Sequence, residues 1–211
     1  MELKFDSRTD ILEVFPTRLF MFAIEGGAPL NDALKAAVLA REASGEPNAG
    51  GVIGGWRSGG DLFDWPDKGI DTIRQTALGA VQAVVPLIAG GDCTFDVRLS
   101  GSATVLRYGA YEKSHLTPGH HLTMVYTVEA GDAPNADAPE NGTIEIDDPR
   151  AAAGLASLPI DTVGRPMLVA PRNSQLTVFP SWLTFRTNPY YGDGERVTLT
   201  LAAEILNLKR S

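Results

Sequence analysis

The stretch Ser174-Gln-Leu-Thr-Val-Phe-Pro-Ser-Trp-Leu-Thr-Phe-Arg-Thr-Asn-Pro189, continued by Tyr190-Tyr-Gly-Asp-Gly-Glu-Arg196 and Val197-Thr-Leu-Thr-Leu-Ala-Ala-Glu-Ile205, decides the reading of the chain. Leu176, Val178, Leu183, Phe185, Val197, Leu199 and Leu201 recur with a period near two, the signature of half-buried sheet. Pro180 cannot donate to a strand ladder, and Gly192-Asp-Gly194 is a turn signal. The stretch therefore reads as strand, sharp corner, second strand, Gly-rich turn and long final strand.

Outward from there, more strands are expected over Cys93–Leu99, Ala103–Tyr108, His120–Val128, Thr143–Ile146 and Pro166–Val169. Ile11–Phe15 and Arg18–Ala23 read as short strands near the N-terminus. A helix is predicted from about Pro29 to Ala43, with Asn31 or Asp32 as its cap and Leu30, Leu34 and Val38 on its apolar face. A second runs from Pro66 or Asp67 to about Ala89. Its residues Ile70, Ile73, Ala77, Ala80, Val81, Val84 and Ile88 keep helical spacing, Gly90-Gly91 stops it, and Pro86 is expected to end or kink it near Val85. Ser44–Gly60 reads as a loop packed under Trp56 and Trp65, Glu129–Asn141 as an acidic loop, and Arg150–Leu158 as a short Ala-rich helix or excursion. Two helices followed by a run of strands argue for a mainly β protein with flanking helices (α+β), the helices packed on an antiparallel sandwich or barrel. One domain is expected, with strands and two helices over residues 1–91 and a β core over 92–206.

Composition narrows the function classes. A net charge of −8 opposes general affinity for nucleic acid or anionic membrane. The single cysteine, Cys93, excludes an intrachain disulfide and a thiolate metal cluster. No apolar run approaches the roughly 20 residues that cross a bilayer, and Met1–Asp6 lacks the basic-then-apolar pattern of a secretory signal. A cytoplasmic protein is expected, and exposed strand edges make a homodimer an open expectation. Ser58 and Ser181 lack the Gly-x-Ser-x-Gly elbow of serine hydrolases. All three histidines fall within His115-Leu-Thr-Pro-Gly-His120-His121, a pattern that fits either a metal or acid–base site or a surface turn.

Taken in order, Gly55-Trp56-x-Ser58, His115-x-Thr117-Pro118, Met124-Val-Tyr126, Gly142–Arg150 and Phe179-Pro-Ser-Trp-Leu183 through Arg196 resemble a family of 2-oxoglutarate–Fe(II) oxygenases found in bacteria and phages, within the prolyl-hydroxylase-like superfamily. The resemblance covers about Phe15 to Ile205 and implies a double-stranded β-helix (jelly-roll, cupin-like) core. It also implies Fe(II) and 2-oxoglutarate as cofactors, and hydroxylation or another dioxygenase reaction driven by oxidative decarboxylation. The metal would sit in a facial triad with open positions for the 2-oxo acid and O₂. Carried over residue by residue, His115 stands at the first ligand position, Thr117 at the second and Phe185 at the distal histidine. Arg196, eleven positions after Phe185, stands where a basic residue holds the cosubstrate's carboxylate. The expected Trp-x-Asn is replaced by Ser102-Ala103-Thr104.

Three functions follow. One is a degenerate oxygenase that keeps the fold as a binding module, with Arg196 holding a small carboxylate or pairing with Asp193 or Glu195. Another is an active metalloenzyme with a rearranged site, in which His120 or His121 and a carboxylate such as Asp147 or Glu145 join His115. The third is a structural or interaction protein in which His115, Trp182 and Phe185 are packing. The substrate, small molecule or protein, is not named by the sequence.

Overall fold

A computed structural model of the chain describes residues 6, 8, 16–132, 134, 137–150, 155 and 164–210. The strand expected at residues 11–15 lies outside them, as does the 150–158 segment apart from residues 150 and 155.

In chain order the elements are β1 (Phe20–Ala23), α1 (Ala28–Ala43), β2 (Val52–Ile53), β3 (Trp56–Arg57), a 3₁₀ turn (Leu62–Asp64), α2 (Lys68–Ala89), β4 (Cys93–Leu106), β5 (Tyr111–His115), β6 (Leu122–Glu129), β7 (Ile144–Ile146), β8 (Met167–Val169), β9 (Gln175–Pro180), β10 (Phe185–Thr187) and β11 (Arg196–Arg210). They form two antiparallel sheets. The major sheet runs β1-β9-β6-β11-β4-β3 and the minor sheet β2-β5-β10-β7-β8. Two facing antiparallel sheets with helices on the outer side form the α+β sandwich that the element order predicts and the jelly roll that the family resemblance implies.

The two faces of the major sheet carry different chemistry. Its outer face presents Ala103, Val105, Met124, Tyr126, Val128, Leu176, Val178, Val197, Leu199 and Leu201. Against these pack Leu34 and Val38 of α1 and Ile70, Ile73, Ala77, Val81 and Val84 of α2. At roughly 1.5–3 kcal/mol per buried aliphatic side chain, this layer is the largest source of cohesion in the fold. Its inner face, toward the minor sheet, carries Ser102, Thr104, Thr123, Thr127, Thr177, Arg196, Thr198 and Thr200, all buried. Strand alternation makes the two sets obligatory neighbours.

Several expectations change. α1 is not capped by Asn31 or Asp32. Gly27 is the N-cap, without a side-chain cap, and Asn31 instead turns into the core. There it accepts a hydrogen bond from the Tyr126 hydroxyl at 2.6 Å and donates to Ser174 Oγ at 2.9 Å, pinning the helix to the sheet. Pro86 does not end α2, which continues to Ala89. Its missing N–H falls in the last turn, where few ladder bonds follow, and Pro86 O still accepts from Gly91 N. β4 runs unbroken through Ser100-Gly101, because Gly101 stays in register with Leu201. The Ser44–Gly60 loop contains the short β2 and β3. β5, absent from the sequence reading, is a full strand of the minor sheet. Trp56 and Trp65 are buried as expected, and Trp182 is not, being 55% exposed. No helix among the described residues is long and apolar enough to cross a membrane.

The Tyr126–Asn31 contact is testable. Tyr126→Phe leaves the buried Asn31 carbonyl without its donor and should cost about 1–3 kcal/mol, read as a lowered urea midpoint with unchanged slope.

Candidate functional site

The site lies between the sheets and begins with β5. β5 and β10 pair with Phe185 opposite His115 and Thr187 opposite Glu112, so β5 carries one extra residue. That bulge puts Glu112 and His115, three apart in sequence, on the same inward face; an even ladder would have separated them.

His115 Nδ1 sits 2.8 Å from Lys113 O. A carbonyl only accepts, so Nδ1 carries a proton, and the tautomer this selects has its lone pair on Nε2. Nε2 is buried without a hydrogen-bond partner and lies 3.7 Å from Glu112 Oε1. Glu112 is 2% exposed. Its Oε1 is held by Arg57 Nη1 at 3.1 Å and its Oε2 by Thr187 Oγ1 at 3.1 Å.

Arg57 reaches this point because β3 lies against β4, with Trp56 opposite Val105 and Arg57 opposite Thr104. Trp56 joins the helix-side core, so Arg57 faces inward, and its Nε donates to Ser102 Oγ at 3.2 Å. The close approach needs Gly55, since a Cβ there would stand 2.5 Å from Val105 O. Arg57, Ser102, Thr117 and Thr200 border a cavity of about 410 Å³ at the open end of the sheets.

At the far end stands Arg196, 1% exposed. It does not pair with Glu195, a partner the sequence offered, which turns toward Lys35 and Arg107 instead. One weak contact, Nη1 to Ala130 O at 3.5 Å, is made, while Nε and Nη2 are buried and unpartnered. Burial pushes the guanidinium down to about 10, with the negative charge of Glu112 and then the Tyr190 phenol opposing. It is still a cation at neutral pH. Thr104 Oγ1, on the same inner face, is also buried and unpartnered. Four orphaned polar atoms, on Thr104, His115 and Arg196, thus collect between the sheets, where an unmet donor costs about 1–3 kcal/mol and a charge more.

The other ligand positions hold different chemistry. Thr117 Oγ1 accepts from Thr123 Oγ1 at 2.9 Å, and Thr123 in turn contacts Ser181 Oγ at 2.9 Å. The Phe185 ring lies over His115 with centroids 4.3 Å apart and meets Phe179 edge-on at 5.1 Å. With Val125, Ile144, Ile146, Val169 and Leu183 it forms an apolar cluster. His120 is bonded to Ser100 Oγ and Pro118 O, and His121 accepts from Ile205 N. Both line a separate cleft of about 750 Å³ with Trp182 and Leu116. Glu145 and Asp147 pair with Arg186. Among the described residues no group of three or more His, Cys, Asp or Glu side chains is placed to hold a metal ion.

Residues 103–201 match the family model described as "Putative 2OG-Fe(II) oxygenase". That match supports assignment to the 2-oxoglutarate–Fe(II) oxygenase family. Solved structures with the same fold include a Pseudomonas putida prolyl-4-hydroxylase, 18% identical, with a TM-score of 0.59 over 88% of this chain and 92% of that one. A Trichoplax adhaerens prolyl hydroxylase in complex with a hypoxia inducible factor peptide fragment is 15% identical, with a TM-score of 0.55 over 88% and 83%. HygX from Streptomyces hygroscopicus, with nickel and 2-oxoglutarate bound, is 12% identical, with a TM-score of 0.57 over 89% and 83%. No curated protein matches the chain significantly.

Sequence reasoning singled out His115, Thr117, Phe185 and Arg196, and the register brings His115 and Phe185 face to face. Arg57 and Glu112 were missed. Arg57 occupies the variable position of Gly55-Trp-x-Ser58, and the bulge that turns Glu112 inward leaves no mark in residue spacing.

A buried guanidinium kept for a ligand should weaken the free protein. Arg196→Met is expected to raise the unliganded stability by about 1–3 kcal/mol, measured by urea unfolding. A structural arginine would show a loss of similar size.

Proposed function

We propose that this chain is an oxygenase-fold binding protein that holds a small carboxylate on Arg196 and does not run iron chemistry. One observation carries the reading: Arg196, at the position that the family resemblance gives to cosubstrate binding, is fully buried and charged with two unpartnered nitrogens. A carboxylate satisfies such a fork with paired, charge-assisted hydrogen bonds.

The donor set argues against iron. Of the three positions that the resemblance assigns to the metal, only His115 offers a suitable lone pair. Thr117 is a neutral hydroxyl already engaged with Thr123, and Phe185 brings a hydrocarbon ring to the third position. One imidazole does not fix a metal's geometry.

A second reading, an active oxygenase with a rearranged metal site, has one observation in its favour. The free Nε2 of His115 lies 3.7 Å from Glu112 Oε1, a pair of donors on one strand. Against it, the Arg57 guanidinium already sits on that same oxygen, which makes the corner unfavourable for a cation.

Thermal unfolding in chelator-containing buffer separates the two readings. Under the proposed function short carboxylates stabilise the protein by about 2.7 kcal/mol at one hundred times Kd, and Arg196→Met abolishes the effect. Stabilisation that requires added Fe(II), or survives Arg196→Met, contradicts it. Thr117→Asp combined with Phe185→His should create stoichiometric Fe(II) binding where the unchanged chain shows none by metal analysis.

A further inference from the structure

Arg196 and Arg57 both face the inner chamber, and one carboxylate, Glu112, lies within reach of their charge. Glu112 is committed: Arg57 Nη1 holds Oε1 at 3.1 Å and Thr187 Oγ1 holds Oε2 at 3.1 Å. Its Oε1 also stands 3.7 Å from His115 Nε2. The corner beside His115, where the resemblance places the iron and with it the chelating end of a 2-oxo acid, is therefore already occupied by an anion of the chain itself. The charge count is simple. Two guanidinium cations meet one carboxylate, leaving a single positive charge unmatched, and it belongs to Arg196.

Resting on the carboxylate-site reading, we infer that the chamber selects a short monocarboxylate and disfavours a dicarboxylate such as 2-oxoglutarate, because Glu112 stands in for the second carboxylate. A monoanion on Arg196 neutralises the chamber. A dianion adds a charge in excess and brings it toward the buried Glu112, where like charges repel more strongly than in bulk solvent. The remaining lining suits an uncharged polar group on the ligand. Ser102, Thr104, Thr198 and Thr200 are buried hydroxyls of the inner face, and Thr104 Oγ1 has no partner, ready for a ligand hydroxyl or oxo oxygen. The ligand class is thus a short hydroxy- or oxo-monocarboxylic acid.

The test compares 2-oxopentanoate with 2-oxoglutarate, which share chain length and oxo group and differ by one carboxylate. Calorimetric titration in chelator-containing buffer should give the unchanged protein at least tenfold tighter binding of 2-oxopentanoate. Glu112→Gln preserves shape and removes the internal anion. It leaves Arg57 unmatched and should shift the ratio at least tenfold toward 2-oxoglutarate. Equal or tighter binding of 2-oxoglutarate by the unchanged protein overturns the inference while leaving the carboxylate site intact, and so does a ratio that Glu112→Gln does not move. Should that variant not fold, the ratio for the unchanged protein decides alone. Binding of neither acid overturns the carboxylate site and this inference with it.

Discussion

Strand alternation is the constraint on which this molecule depends. Every second residue of β4, β6, β9 and β11 faces the helices, and the residues between face the minor sheet. The helix-facing set is aliphatic and supplies most of the cohesion. That leaves the other set free to be polar, and it is mostly threonine and serine with one arginine. A sandwich that relied on its inter-sheet layer alone could not carry Arg196 there. Because α1 and α2 cover the larger apolar face, part of that inner layer can be polar beside its own smaller apolar cluster and form a chamber.

Within the chamber the chemistry is divided. Phe179, Phe185, Leu183 and their neighbours fill one part with hydrocarbon. Arg57, Glu112, Thr187 and Arg196 make the other part ionic. His115 lies at the boundary, with Phe185 over its ring and Glu112 near its free nitrogen. An oxygenase site needs three donors to converge at such a boundary. Of the three positions that the family resemblance assigns to them, one holds His115, one a hydroxyl tied into the Thr117–Thr123–Ser181 chain, and one the Phe185 ring. The end to which the family resemblance assigns a carboxylate holds a buried charge, and the end to which it assigns a metal holds a single imidazole.

Much of this was legible in the sequence, and the exceptions share a cause. Period-two runs such as Val197–Leu201 announce strands because one face is apolar, and α2 announces itself by three-to-four spacing. β5 was illegible because its inward residues are Glu112 and His115, so no apolar alternation marks it. The bulge then defeats spacing arguments, since it puts an odd separation on one face. Ser100-Gly101 looked like a break and is continuous strand, a case of tertiary pairing overriding local propensity. The family resemblance singled out Arg196, and the fold adds that it is buried. From sequence alone it read as a surface ion-pair partner. Trp182 was expected to be an anchor, yet the corner buries Phe179, Ser181 and Leu183 and leaves the indole outside.

The central claim is that the Arg196 guanidinium is a carboxylate receptor that works without metal. The most direct measurement is the ¹⁵N–¹H resonance of Arg196 Nε, assigned by its loss in Arg196→Met and followed during carboxylate titration in chelator-containing buffer. The account predicts a saturable, one-to-one shift of that resonance as its unpartnered N–H gains an acceptor. An Arg196 signal that ignores carboxylate until Fe(II) is supplied would contradict it.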